Sequence, residues 1–270
     1  MKRLVLLAVA VALVVGSGRA SAQTVFKSLD ADAWCRERET DPDRESHCEV
    51  REATWRGRGE SLSIDASPNG GIEVTGWDRP EVKVRAKVVA VADSVDEAAR
   101  LAAEVRIESA GTIHAEGPSA GRRAHWWVSY EAFVPRQSDV QLESTNGGIR
   151  LADVAGRISF RTTNGGVSLT RVAGDVQGRT TNGGVQVQLA GSEWRGQGLD
   201  VQTTNGGVTL TVPDDYNALL ETGTTNGRLR LDFPMTVQGD IKQRVSARLG
   251  RGGAPVRVTT TNGGVTVRRP

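Results

Sequence analysis

The chain has 270 residues, 34 basic against 32 acidic, a formal net charge of +2, and only 4% aromatic residues. Of the 34 basic residues 29 are arginine, scattered among Asp and Glu with no one-sided basic stripe, and this pattern excludes nucleic acid as a partner.

The chain opens with Lys2 and Arg3, an apolar run over residues 4–15, and small residues at Ala20 and Ala22. That order predicts a secretory signal peptide over residues 1–22, cleaved after Ala22. A run of about 12 apolar residues falls short of the ~20 that span a bilayer. No cysteine follows to carry a lipid, and no later segment is apolar enough to cross. The expected mature protein is exported, to the periplasm, the cell surface or the medium, without a membrane span. Losing Lys2, Arg3 and Arg19 turns the formal charge from +2 to −1, so the basic balance belongs to the leader.

Residues 23–60 are polar, rich in Arg and Glu, and read as an extension with little core of its own. Cys35 and Cys48, an even pair in an oxidising compartment, predict a disulfide. It would contribute roughly 3 kcal/mol by restricting the unfolded chain. His47 beside Cys48 adds a single imidazole, too few ligands for a metal site. Residues 61–270 then read as one β domain. Leu62 and Ile64, Ile72 and Val74, and Val82, Val84 and Ala86 alternate as strands of a degenerate first coil or a small sheet. Residues 93–107 are the single predicted helix: Ser94 and Glu97 make a capping box, and Ala98, Leu101, Ala102 and Val105 share one face. Stacked repeats expose core at their ends, so this helix is expected to pack on the N-terminal end or side of the stack. A long strand follows over residues 124–134. In it Trp126 and Trp127 must face opposite sides, which makes the pair a candidate ligand surface, with burial against the helix as the competing reading.

The strongest signal is an internal repeat. Asn-Gly-Gly recurs at Asn69, Asn146, Asn164, Asn182, Asn205 and Asn262, and Asn-Gly-Arg stands at Asn226. From Asn146 the steps are 18, 18, 23, 21 and 36 residues. Ser or Thr occupies both positions before each Asn from Asn146 onward, and Ile, Val or Leu stands three and five positions after it and six before it. Each Asn-Gly therefore joins two strands whose alternate residues point inward. A chain of antiparallel hairpins would also use Asn-Gly turns. Identical residues at identical offsets instead favour parallel coils stacked in register, with Asn146, Asn164, Asn182, Asn205, Asn226 and Asn262 forming a side-chain ladder and the glycines supplying a positive φ at the corner. The predicted fold is all-β, a parallel, right-handed β-helix or solenoid with one helix in its N-terminal half. Val154-Ala155-Gly156 and Val172-Ala173-Gly174 are the second corners, residues 191–198 and 212–217 are loops on one edge, and Gly-Arg-Gly-Gly at 250–253 is an excursion in the longest interval.

Signal peptide, short β segment, single helix, aromatic strand and Asn-Gly-Gly-Val coils with Val-Ala-Gly spacers together resemble the bacterial adhesin-like family known as domain of unknown function 4097, over roughly residues 60–268. The resemblance implies a parallel β-helix-like fold and an envelope or extracellular place, and it brings no catalytic residues to carry over. The Cys35/Cys48 preamble departs from it.

No nucleophile elbow or zinc-helix motif occurs, and no cofactor is implied. An Asp in every turn, as calcium-binding rolls require, is missing. The expected function is a non-enzymatic envelope or extracellular scaffold of adhesin type, with a surface glycan or an envelope protein as partner. The alternative is a β-helical enzyme acting on polysaccharide, whose candidate carboxylate pairs are Asp153 with Asp175 and Asp214 with Asp215; solvated turns explain those residues as well. End-to-end assembly is disfavoured by the polar Arg268-Arg269-Pro270.

Overall fold

Alternation of apolar and polar residues continues through nearly the whole chain, and strands form wherever it does. The structure is a computed structural model that describes residues 24–29, 32–36, 44–57, 61–119, 121, 123–232 and 243–270; the expected leader, residues 1–22, lies outside them. In chain order the elements are β1 (Lys27–Leu29), a 3-10 turn (Ala33–Cys35), β2 (Glu45–Arg56), β3 (Leu62–Asp65), β4 (Ile72–Trp77), β5 (Glu81–Ala92), α1 (Val95–Glu104), β6 (Arg106–Glu108), β7 (Thr112–Glu116) and β8 (His125–Pro135). The coils follow as β9 (Val140–Ser144), β10 (Ile149–Ala152), β11 (Ala155–Asn164), β12 (Val167–Thr170), β13 (Ala173–Asn182), β14 (Val185–Gln188), β15 (Gly198–Asn205), β16 (Val208–Thr211), β17 (Ala218–Asn226), β18 (Leu229–Asp232), β19 (Arg244–Leu249), β20 (Pro255–Asn262) and β21 (Val265–Arg268).

Two sheets result. An 11-stranded sheet runs β1-β2-β5-β8-β4-β10-β12-β14-β16-β21-β18, and a 10-stranded sheet runs β19-β17-β20-β15-β13-β11-β9-β3-β7-β6. Every Asn-Gly corner carries the chain from the 10-stranded sheet to the 11-stranded one, and equivalent strands pair in parallel, as in Asn164 opposite Asn182 and Val167 opposite Val185. Antiparallel hairpins are thereby ruled out for the repeats. Inward residues of both sheets form one core: Ile158, Val176, Leu199 and Val256 on one side and Val167, Val185, Val208 and Val265 on the other are all at most 2% exposed. Phe160, the one aromatic among its rung equivalents, projects into the space left by Gly178 in the next rung.

The asparagines form a column. Each Nδ2 donates to the Oδ1 of a neighbouring rung, in the order Asn146 to Asn69 (2.9 Å), Asn164 to Asn146 (2.7 Å), Asn182 to Asn164 (2.7 Å), Asn205 to Asn182 (2.8 Å), Asn262 to Asn205 (2.8 Å) and Asn226 to Asn262 (2.8 Å). Asn69 joins the ladder, so β3 and β4 are a true first coil. The stacking order departs from chain order: the last coil, β20 and β21, inserts between the β15/β16 coil and the β17/β18 coil. The long interval makes this possible. β19 runs antiparallel along the outer side of β17, and residues 250–253 form a turn across the end of β17, where Gly252 N bonds Leu249 O and Arg251 N bonds the Asn217 side chain. Left-handed φ at Gly250 and Gly252, 52° and 81°, explains the glycines of this turn, which is not a loose excursion.

Two expectations about the corner change. Of the first glycines of the corners, Gly70 and Gly263 carry a positive φ of 157°, whereas Gly147, Gly165, Gly183, Gly206 and Gly227 do not. A side chain at Gly165 would instead meet the carbonyl oxygen of Gly147 far inside van der Waals contact, and the same holds from rung to rung. Close backbone approach is the constraint that all seven share, and it selects glycine after each Asn. The second glycine is under less constraint, since a Cβ at Gly166 would stand 3.5 Å from Gly184 O, and Arg228 takes this position in the coil at the end of the stack. The second change concerns the threonines. Only the residue next to each Asn faces out; Thr162, Thr180, Thr203 and Thr260 are buried, and each Oγ1 donates to a glycine carbonyl one rung away, at 2.8 Å.

At the N-terminal end the 10-stranded sheet is the shorter, and α1 covers what remains, packing on β2 and β5 through Ala98, Ala102 and Val105. Ser94 Oγ accepts from Glu97 N (3.3 Å) at its start. The helix stops at Glu104, three residues before the predicted end, because Val105 turns extended and Ile107 enters the core on β6. No basic residue stands in its last turn. Arg51, from the inner face of β2, supplies that charge: its guanidinium donates to the carbonyls of Ala102 (2.8 Å) and Val105, and Glu49 holds it. Residues 45–56, read from sequence as part of a polar extension, are thus a full strand paired with β5.

Two mutational contrasts follow in chemical denaturation. Gly165→Ala should destabilise by about 3 kcal/mol or more by overpacking, whereas Gly166→Ala should lose less than about 1 kcal/mol. Arg51→Ala should lose about 1–3 kcal/mol, because the Ala102 and Val105 carbonyls lose their charged donor and Glu49 loses its partner.

Candidate functional site

On the outer face of the 11-stranded sheet, just before the coils begin, three rows of side chains lie side by side. The middle row runs from Lys87 on β5 to its partner Ser129 on β8, then to Gly71 and Gly148, which have no side chain. Ser129 Oγ accepts from Gly71 N (3.2 Å). One flanking row holds Cys48, Val89 and Trp127, and the other Arg85, Glu131, Glu73 and Arg150. Tall residues on either side of a floor of Ser and Gly leave a groove of about 300 Å³.

The N-terminal segment builds the third wall. Cys35 and Cys48 are bonded, with their Cα atoms 5.6 Å apart, and this fixes the 3-10 turn against β2. Asp32 starts the turn, its Oδ1 accepting from Trp34 N (2.8 Å) and its Oδ2 from Arg85 Nη2 (2.6 Å). Arg85 also pairs with Glu131 and lies 5.4 Å from the Trp34 ring, with Lys87 Nζ at 5.7 Å from the same ring. Val50, which faces outward beside Lys87, is fully buried under this segment. The Trp34 backbone N–H, with Arg85 and Arg36 behind it, holds the Asp32 carboxyl below its ordinary 3.8 against the opposing pull of partial burial.

The two predicted tryptophans separate. Trp127 faces the groove; His125 stacks on it with centroids 5.8 Å apart and planes 20° apart. Trp126 points the other way, packs against the core, and donates from Nε1 to Pro118 O (2.8 Å). Sequence reasoning missed Trp34, Lys87 and Arg150 as neighbours of Trp127, since they come from four separate segments. The signal that could have pointed to Trp34 was its place next to Cys35.

The carboxylate pairs are not brought together as acid and base. Asp153 sits in a coil corner, bonded to Arg171 (2.5 Å) and Arg136 (3.3 Å), while Asp175 lies on the outer face of β13 and accepts from Gln177 (3.4 Å). The hydrogen bond from Arg171 depresses the Asp153 carboxyl below its ordinary value, with Arg136 adding to it and burial opposing. A glycosidase acid needs the opposite shift. Asp214 pairs with Arg269 (3.1 Å) beside Asp215 in the Pro213-led turn. The sulfurs of Cys35 and Cys48 are bonded to each other and offer no thiolate next to His47.

The depressed Asp32 value sets a pH dependence. Its contribution is present in full above the ordinary carboxyl value of 3.8 and is lost as the pH falls through the lower folded-state value. Hydrogen exchange at the Trp34 amide should therefore accelerate as the pH falls below that range, after correction for intrinsic rates, and Asp32→Ala, which removes the acceptor, should make it fast at every pH.

No curated protein matches the chain. Among solved structures, a candidate cell adhesion protein from Clostridium sporogenes is similar with a TM-score of 0.43 and 10% identity, over 82% of this chain and 100% of that one. A candidate adhesin from Bacteroides fragilis follows with a TM-score of 0.34 and 9% identity, over 82% of this chain and 97% of that one. A candidate lipid binding protein from Parabacteroides distasonis gives 0.26 and 10% identity, over 84% and 98%. The family model described as Toastrack DUF4097 matches residues 94–268, from the Ser94 cap of α1 to the last residue of β21 and well over half of the chain, and the chain belongs to that family.

Proposed function

We infer that the protein is exported and acts as a non-catalytic, adhesin-like binding scaffold in the envelope or outside the cell, with Trp127 at its contact surface. The observation that carries this reading is the groove itself, in which two indoles, two cations and a carboxylate converge on a floor of Ser and Gly held by a stack of rungs. Export is supported by the basic and apolar leader pattern and by a bonded cysteine pair, which persists in oxidising compartments. Among the described residues no helix is long and apolar enough to cross a membrane. The ion-paired state of Asp153 weighs against the polysaccharide-cleaving alternative. A surface glycan or an envelope protein is the partner the groove suits.

The test uses the protein collected after export by its own cell. It should bind envelope or extracellular fractions saturably, Trp127→Ala should weaken that binding about tenfold, and no reducing or unsaturated sugar ends should appear during incubation. Steady release of such ends would replace this reading with the enzymatic one, and binding to no fraction would remove the scaffold reading.

A further inference from the structure

The groove gathers two cations, Lys87 and Arg150, around the indole of Trp127. Several arginines of the outer surface are matched, Arg85 with Asp32 and Glu131, Arg136 with Asp78, Arg157 with Asp139, Arg171 with Asp153 and Arg257 with Glu221, while others, such as Arg161 and Arg179, have no ion pair among the described residues. Lys87 and Arg150 have no carboxylate within ion-pairing distance among the described residues. Both line the groove, Lys87 at the β5 end of the row that continues as Ser129, Gly71 and Gly148, and Arg150 on β10 beside the other end of that row. Glu73, beside Arg150, lines it too and leaves the site one positive charge in excess.

Trp127 supplies the flat element. His125 lies against it and does not line the groove, while Ser129, two residues on and on the same face of β8, does; the open face of the indole is therefore the one turned to the floor. At about 300 Å³ the space is at the small end of ligand sites, with room for one or two rings.

We propose that this groove binds a carboxylated sugar of an acidic polysaccharide: the C–H face of the ring stacks on Trp127, the carboxylate sits between Lys87 and Arg150, and Glu73 accepts from a ring hydroxyl. The stacking face recognises the ring, the paired cations recognise the acid, and the carboxylate of Glu73 disfavours a more highly charged anion such as phosphate. This inference rests on the scaffold reading above and narrows its partner to one chemical class.

Titration calorimetry with a galacturonate oligomer, the matching neutral galactose oligomer and inorganic phosphate, at fixed ionic strength, tests it. The uronate oligomer should bind about tenfold or more tighter than either of the others, as a charge-assisted hydrogen bond implies. Lys87→Gln and Arg150→Gln, both surface changes that leave the core intact, should each weaken it about tenfold, and Arg230→Gln at the far edge of the same sheet should have no effect. Equal affinity for the neutral oligomer or for phosphate, insensitivity to Lys87→Gln and Arg150→Gln, or an equal loss in Arg230→Gln would overturn the proposal. If envelope fractions still bind the protein through Trp127 while no uronate does, the sugar-acid inference fails and the scaffold reading stands.

Discussion

At the corners of Gly147, Gly165, Gly183 and Gly206 the carbonyl of the first glycine occupies the space where a side chain on the next rung would otherwise stand, and the same oxygen accepts the hydroxyl of that rung's inner threonine, as Gly147 does from Thr162. One backbone atom thus demands both a glycine and a threonine from its neighbour. The demand is passed to the next rung, where Gly165 O accepts from Thr180. Outside it, the asparagine amides close a second column of bonds. The motif is conserved within the chain because every rung is the template of the next, and each net hydrogen bond adds only about 0.5–1.5 kcal/mol. Cooperation along the column, together with the apolar seam behind it, makes the stack hold.

Rungs that present the same donors, acceptors and apolar residues are interchangeable neighbours. The corner chemistry does not distinguish Asn226 from Asn262 as the partner of Asn205; the connecting segments do. β19 along the flank of β17, and the short glycine turn that crosses its end, bring the final coil back into the gap between two earlier ones. Sheet order in the C-terminal third is a property of its linkers.

At the opposite end the repeat gives way to antiparallel β2, β5 and β8, and the surface changes character. Long aromatic and charged side chains replace the short residues of the coils, and a disulfide-tethered turn leans over them. Arg51 ties the helix to the sheet from inside, and Arg85 ties the turn to the sheet from outside. The stack is the frame, and its N-terminal border carries the chemistry on which the proposed binding depends.

Much of the architecture was legible in the sequence because period-two alternation and an identical corner motif are local properties: the all-β class, the single helix with its Ser94 cap, and the asparagine column follow from residue spacing alone. The helix end at Glu104 was not, since Ile107 is drawn into β6 by the core and not by helix propensity. Nor was the reason for the glycines, which is an approach between backbones eighteen or more residues apart that no local φ preference encodes. Alternation put the two tryptophans on opposite faces, but which of them faced the groove depended on the segment that packs over the sheet. The sequence by itself determined what each rung is made of, because those choices are set by neighbours at fixed spacing; only the tertiary structure decided the order of the last two rungs and the gathering of Trp34, Lys87, Trp127 and Arg150 into one groove, because long-range strand pairing and one covalent bond bring those residues together.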